Sequence, residues 1–244
     1  MAVGGDGTVN DVLNGLTNFE QVTFAYIPSG SGNDLARGLH LETDPLKALE
    51  QILSGGQTGR IRIGELSTPA FSRRFLVSSG LGFDAAVCEG ALHSKFKKFL
   101  NQFHLGKLTY TGIALKEIFL SHCPKAKLIL DNDTVIETPT LLFASAMNLP
   151  YEGGGFQFCP EADSKDDHLD LILVEKMPKL KVFLLLPTAF FGKHTRFRGI
   201  HIHTFREARL VTEQPLFLHT DGEIPGKTSE VVWRLLPEAL TMIL

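Results

Sequence analysis

Cysteine is scarce in this chain: Cys88, Cys123 and Cys159 are the three among 244 residues, widely spaced and odd in number. They form no C-x-x-C pair, so neither a zinc site nor a disulfide framework is indicated, and a reducing, cytoplasmic setting is expected. Net charge is also small. Lys and Arg number 24 against 27 Asp and Glu, giving −3, which removes the basic excess of a nucleic-acid-binding protein. No apolar run reaches the roughly 18 residues of a helical membrane span, so any membrane contact is expected at the surface. No leader is expected ahead of the first motif, and no internal repeat or low-complexity tract is visible. What remains, 43% hydrophobic and 21% charged, is the balance of a folded chain with one or two domains.

The informative residues begin near the start. Gly4-Gly5-Asp6-Gly7-Thr8-Val9-Asn10-Asp11 sets three glycines in four positions, which permits backbone approaches that a side chain blocks. Thr8 is expected to open a helix with Val9, Val12, Leu13 and Leu16 on one face, and Thr8 to Asp11 has capping-box spacing. A glycine-rich turn feeding a helix N-terminus suits phosphate, although the same pattern also serves as a plain turn. It fits neither the Walker A pattern nor G-x-G-x-x-G. A second such turn, Pro28-Ser29-Gly30-Ser31-Gly32-Asn33-Asp34-Leu35-Ala36-Arg37, follows an apolar strand at 22–27, with Ser31 and Asp34 again at capping spacing. Two such turns at the ends of successive parallel strands should lie side by side, where α/β sheets bind their ligands.

Asp44-Pro45 is expected to start a helix that stops at Gly55-Gly56. Beyond residue 58 the texture becomes that of strands: 60–64, 74–79, 126–131, 134–138, 140–147, 169–174, 200–205, 208–212, 215–219 and 230–236. Two helical stretches interrupt them. Residues 84–120 carry Lys95, Lys97, Lys98 and Lys107 among aromatic residues, and 178–191 are strongly apolar and followed by Lys193, Arg196 and Arg198. Basic residues beside exposed aromatics can dock an anionic membrane; they can equally be the solvated side of a packed helix.

Carboxylates concentrate in two places. Asp163-Ser164-Lys165-Asp166-Asp167-His168-Leu169-Asp170 is an acidic turn that suits a hard cation or serves as a solvated loop. Leu218-His219-Thr220-Asp221-Gly222-Glu223 ends a strand in an Asp-Gly turn, with Asp221 and Glu223 on the same side of an extended chain. One could accept a proton and the other support a metal, or the turn could be an ordinary hairpin. His201 and His203 share a strand face without a third ligand, so exposed strand residues are the expectation there.

Gly4-Gly5-Asp6-Gly7-Thr8 resembles the nucleotide loop of NAD kinases, diacylglycerol kinases and, more distantly, phosphofructokinases. The Val9-Asn10-Asp11-Val12 continuation and the Pro28–Arg37 stretch narrow the resemblance to the diacylglycerol kinase catalytic family. That resemblance implies an α/β plus β fold of the NAD kinase/diacylglycerol kinase type, with a β-sandwich over 59–236. Residues 1–58, with 237–244 returning to them, would form a partial nucleotide domain. It implies ATP against Gly4, Gly5, Asp6, Gly7, Thr8, Asn10, Ser29, Gly30, Ser31 and Asn33. Glu223 would be the general base, with Mg²⁺ on the phosphates supported by Asp6 and Asp221. A second, structural Mg²⁺ would take the Asp167 side chain and the carbonyls of Ser164 and Leu169. His168 stands where the family usually has Gly, so a strained turn is expected.

The implied activity is ATP-dependent phosphorylation of a lipid hydroxyl at a membrane surface. The alternatives are an NAD kinase-like enzyme and a non-catalytic lipid- or partner-binding fragment. Family members begin with an Asn-Pro-x-x-Gly loop ahead of these motifs, whereas Met1-Ala2-Val3 precede Gly4 here, so a truncated chain is expected. Its strand at 22–27 would then lack sheet neighbours and invite dimerisation.

Overall fold

The computed structural model describes residues 1–19, 21–93 and 122–244. The basic cluster at Lys95–Lys107 lies outside the described residues. Strand β1 (Ala2–Gly4) runs parallel to β3 (Tyr26–Pro28), and β2 (Thr23–Phe24) runs parallel to the end of the last strand, β15 (Glu223–Ile243). The stretch expected to lack neighbours is therefore paired on both sides, and Phe24, Ala25, Tyr26 and Ile27 are all buried. This corrects the expectation of an unpaired strand and removes its argument for dimerisation.

Helix α1 (Asp6–Gly15) starts two residues before Thr8, with Gly5 as its N-cap and no side-chain cap, so the Thr8–Asp11 box does not form. Val9, Asn10 and Leu13 are buried, whereas Val12 faces outward, because the helix packs along a narrower stripe than the spacing suggested. Helix α2 (Asp34–Gly38) follows Asn33, whose φ of 52° lies in the left-handed region that Asn tolerates. Helix α3 (Pro45–Leu53) has the anticipated start: Asp44 accepts N–H bonds from Leu46 and Lys47 and Pro45 occupies the first turn.

Among the described residues one large sheet holds eleven strands. Its main path runs β13 (Ile200–Phe205), β12 (Leu169–Glu175), β9 (Leu141–Met147), β6 (Ser78–Gly82), β14 (Glu207–Thr220), β15, β4 (Thr58–Ser67) and β5 (Ser72–Phe75). The hairpin of β7 (Ala126–Leu130) and β8 (Thr134–Thr138) pairs with β14, and β2 with β15. Two short strands, β10 (Tyr151–Glu152) and β11 (Phe156–Gln157), flank the Gly153–Gly155 turn. Helix α4 (Phe83–His93) leaves the end of β6, and α5 (Lys179–Ala189) is followed by a 3₁₀ turn at Lys193–Arg196.

Strands expected separately at 208–212 and 215–219 are one strand, β14, with a register shift between Val211 and Leu216 at Pro215, which cannot donate to a ladder. Residues 230–236 are likewise the middle of β15, which shifts register between Leu235 and Ala239, around Pro237. Beyond that bend β15 continues along β4 and takes β2 as a parallel neighbour. One hydrophobic core consequently joins Val9, Leu13, Phe24 and Leu35 to Ile61, Ile63, Leu240 and Met242. A second core surrounds Trp233, Phe75 and Phe205, and a third lies under α5 around Phe143 and Ile172.

Candidate active site

The two glycine turns meet backbone to backbone. A Cβ on Gly30 would sit 2.5 Å from the Gly5 Cα, and one on Gly5 would sit 3.2 Å from the Gly30 Cα. The Ser29 N–H donates to the Gly4 carbonyl at 2.8 Å, which ties the turns together. Asn33 braces the second turn: its Oδ1 accepts from the Gly30 N–H at 2.9 Å and the Tyr26 hydroxyl at 3.3 Å, while its Nδ2 donates to the Gly30 carbonyl at 3.0 Å. Since the Cβ of a Gly30→Ala variant would strike main chain, which cannot swing away, we expect Gly30→Ala to cost about 1–3 kcal/mol. Thermal melts read the loss.

Asp6, the first residue of α1, caps α2. Its Oδ2 accepts from the Asp34 N–H at 3.0 Å and its Oδ1 from the Leu35 N–H at 3.1 Å. The Ser31–Asp34 capping expectation is thus corrected; Asn33 makes no side-chain cap and a residue distant in sequence supplies the acceptor. Asp34 itself pairs with the Arg37 guanidinium and accepts from the Gly154 N–H at 2.8 Å. Burial pushes the Asp34 carboxyl up to about 6, overcoming the Gly154 bond and the partly exposed Arg37. A group raised in the folded state favours folding fully below its ordinary 3.8 and loses that contribution as pH rises through about 6. Asp34→Asn, fixed neutral, should therefore gain about 2–3 kcal/mol over wild type at pH 8 and little at pH 4, measured by paired melts.

The Asp221-Gly222-Glu223 turn lies on the other side of α1. Asp221 has φ 47° and is buried, and its two oxygens accept four N–H donors: Asn10 Nδ2 at 2.8 Å, Leu76 at 3.0 Å, Val77 at 2.9 Å and Ser78 at 3.0 Å. Burial raises its pKa, with those donors opposing the rise. The carboxylate stitches the β14–β15 turn to α1 and to the chain between β5 and β6, where it interrupts the strand expected at 74–79. Asn10 is spent in the same way: it is fully buried, donates also to the Arg74 carbonyl at 2.9 Å and accepts from Arg73 Nε at 2.7 Å. Asp221 and Asn10, for which metal and nucleotide contacts were expected, brace the site from beneath, and Asp6 braces it from the side. Glu223 differs. It is exposed, no described side chain or backbone group bonds its carboxylate, and its Oε1 occupies the space where a Cβ on Gly7 would stand. The carboxylate therefore reaches the first turn of α1.

Directly under this turn lies a buried charge cluster. His219 Nε2 is 3.1 Å from Asp84 Oδ2 and 3.3 Å from Glu152 Oε1, and Ser145 Oγ donates to Glu152 Oε2 at 3.1 Å. Burial opposes charge on His219, yet Glu152 and Asp84 outweigh it and hold the imidazole well above its usual pKa. Burial raises Asp84, whereas His219 and the hydroxyls of Ser78 and Ser145 overcome it at Glu152 and lower that carboxyl. The three ligand atoms lie within 4.8 Å of one another, a spacing that a metal could use, but direct hydrogen bonds already account for it. Gly80 makes room, since a Cβ there would strike Asp84 and lie 2.5 Å from His219 Nε2.

In the acidic turn at 163–170 the groups expected to hold a cation have protein partners. The Asp167 side chain is 67% exposed and held by the Arg206 guanidinium, which lowers its pKa, and the Asp167 carbonyl accepts from Arg206 Nε at 3.1 Å. The Ser164 carbonyl accepts from the Arg62 N–H at 2.8 Å, and Leu169 enters β12 opposite Phe205. The Arg206 guanidinium thus contacts the Asp167 carboxylate that the Mg²⁺ expectation pairs with the Ser164 and Leu169 carbonyls. His168 has no positive φ, so the strain expected there is absent as well.

The family described as diacylglycerol kinase catalytic domain matches residues 1–66, and that described as YegS C-terminal NAD kinase beta sandwich-like domain matches residues 77–244, more than half of the chain. The chain belongs to the diacylglycerol kinase family. YtlR of Bacillus subtilis, which carries a lipid-kinase name, is 28% identical over 231 residues, 93% of this chain and 74% of that protein. A diacylglycerol kinase of Mycobacterium tuberculosis is 29% identical over 237 residues, 95% of this chain and 73% of its own length. Among solved structures, a diacylglycerol kinase from Bacillus anthracis has a TM-score of 0.69 at 21% identity, covering 99% of this chain and 74% of that one. An NAD kinase from Archaeoglobus fulgidus in complex with ATP has a TM-score of 0.52 at 13% identity, with coverage of 99% and 76%. At these identities the structures speak for the fold, which is the α/β plus β fold of diacylglycerol and NAD kinases.

Several charged residues around the site of this diacylglycerol kinase family member escaped the sequence reading. Asp34 and Arg37 were read as part of the second glycine motif, and Asp34 also as a cap, but not as an ion pair tied to the Gly153–Gly155 turn. Asp84, Glu152 and His219 come from three distant segments, each carrying a single polar residue among apolar ones, a pattern that gives no local signal.

Proposed function

We propose that this kinase-family chain transfers the γ-phosphoryl group of ATP to the hydroxyl of a membrane lipid, diacylglycerol or a relative of it. The observation that carries this reading is the Glu223 carboxylate, exposed and without a bonding partner among the described residues, at the first turn of a helix whose N-terminus has no side-chain cap. A phosphate chain fits such a turn, because the first N–H groups of a helix have no intrahelical partner and the dipole favours negative charge. The names of the relatives support the lipid acceptor.

In this reading the triphosphate runs from Gly4–Thr8 to the turn at Ser29–Asn33, with residues 1–58 and 237–244 as the nucleotide part and 59–236 as the β part. Mg²⁺ bound with the nucleotide would neutralise the phosphate charge, leaving Glu223 to act on the acceptor hydroxyl. Asp6 and Asp221 have committed both oxygens and act by fixing α2 and the Glu223 turn. Glu223 takes the proton of the lipid hydroxyl as that oxygen attacks, and positioning supplies most of the rest, as phosphoryl transfer demands little covalent help. The test is transfer of labelled phosphate from ATP with Mg²⁺ to diacylglycerol in mixed micelles and to NAD in parallel. Labelled phosphatidic acid is the expected product; labelling of NAD alone overturns the proposal.

A further inference from the structure

Residues 176–199 contain Lys176, Lys179, Lys181, Lys193, Arg196 and Arg198 and no Asp or Glu. The same stretch holds six of the large hydrophobic side chains exposed among the described residues: Leu180, Phe183, Leu184, Phe190, Phe191 and Phe197. Helix α5 explains the coincidence. Val182, Leu185, Leu186 and Ala189 fall at i, i+3, i+4 and i+7; Val182 and Leu186 pack on the core around Phe143 and Ile172, and Leu185 and Ala189 are buried. Leu180, Phe183, Leu184 and Phe191 continue a second apolar stripe on the outer face, with Leu180 70% and Phe191 73% exposed. A helix that is apolar all round is normally buried all round. This one leaves half of its apolar surface uncovered and rings it with cations, of which Lys193, Arg196 and Arg198 are exposed and have no ion-pair partner among the described residues.

The patch adjoins the candidate active site. The Phe190 ring stacks on Phe156 at 4.1 Å between centroids, and Phe156 follows the Gly153–Gly155 turn whose Gly154 N–H bonds Asp34. No helix among the described residues is long and apolar enough to cross a membrane. We propose that the outer face of α5 and the following 3₁₀ turn is a docking surface for an anionic lipid bilayer, seating Leu180, Phe183, Leu184 and Phe191 among the acyl chains with the cations at the headgroups. Apolar side chains supply the insertion and Lys and Arg the attraction to negative lipid, which falls with salt. The proposal rests on the lipid-kinase reading in that it brings the acceptor's membrane to the cleft.

The test is co-sedimentation of the whole chain with vesicles of phosphatidylcholine alone and with about 30% phosphatidylglycerol, at low and high salt. Wild type should pellet with the anionic vesicles and be released by salt. Lys193→Glu/Arg196→Glu should weaken that partitioning by tenfold or more, and Phe183→Ser/Phe191→Ser should abolish it, with circular dichroism matching wild type. Should one pair fail to fold, the other decides. Equal sedimentation of wild type and folded variants, or sedimentation that ignores lipid charge, overturns the proposal. So does a stable dimer that buries the patch and does not bind vesicles. Phosphorylation of a water-soluble short-chain diacylglycerol separates the two readings: variants that keep it while losing vesicle binding support docking, whereas a wild type that binds vesicles but phosphorylates no lipid refutes the kinase reading alone.

Discussion

Replacing Glu223 by Gln should lower kcat by about 10²–10⁴-fold and leave the melting temperature within a degree or two of wild type. The size follows from the loss of a positioned proton acceptor in a reaction whose remaining catalysis is positioning and charge neutralisation. The neutrality toward folding follows from its surroundings: the side chain is exposed, bonds nothing among the described residues and is isosteric with the amide. KM for ATP should change little, because the base acts on the acceptor hydroxyl rather than on the nucleotide. A Gln variant that retains at least half of wild-type kcat would remove Glu223 from the chemistry. An Asp221→Asn variant makes the contrast, since it should lose stability first, by breaking the four-donor anchor that holds the same turn.

The second large effect is on stability. His219→Leu should destabilise the fold by about 3–5 kcal/mol, because removing one partner strands Asp84 and Glu152 as buried carboxylates without a cation. Adding Asp84→Asn to that variant should recover part of the loss, and the double-mutant cycle measures the coupling. The pH signature is specific. His219 is raised above 6.5, so its contribution is complete below 6.5 and is lost as pH rises through the folded value. Glu152 is lowered below 4.5, so its contribution is complete above 4.5 and is lost as pH falls through the folded value. Asp84 is raised by burial above 3.8, so its contribution is complete below 3.8 and is lost as pH rises through the folded value. Urea melts of wild type and His219→Leu from about pH 5 upward should show the gap between them narrowing at alkaline pH. A gap independent of pH would mean that His219 acts by packing alone.

Much of the architecture was legible. The change of texture at residue 58, the Pro45 helix start, the alternation along Ile61 and Ile63 and the strand at 141–147 are local patterns, and each depends on residues only a few positions apart. The failures share one cause. Thr8 and Ser31 have capping spacing, but the donors of α2 are met by Asp6, 28 residues away from Asp34. The stretch at 22–27 finds its second neighbour in residues 241 and 242, a pairing no window can contain. In the same way a carboxylate that looks free in the sequence, Asp221 or Asp167, is satisfied by Asn10 and three backbone N–H groups or by Arg206.

The sequence by itself determined the chemistry available: two glycine turns able to approach phosphate, an Asp-Gly-Glu turn, and a basic, apolar stretch free of acids. Those properties reside in residue type and short spacing. Tertiary structure decided which groups are free to use that chemistry. It brought Gly5 against Gly30, buried Asp221 and Asn10 in mutual hydrogen bonds, left Glu223 open at the first turn of α1 and turned the outer stripe of α5 to solvent. A side chain's availability depends on what the fold places against it, and burial and hydrogen bonding are set by partners tens to hundreds of residues away.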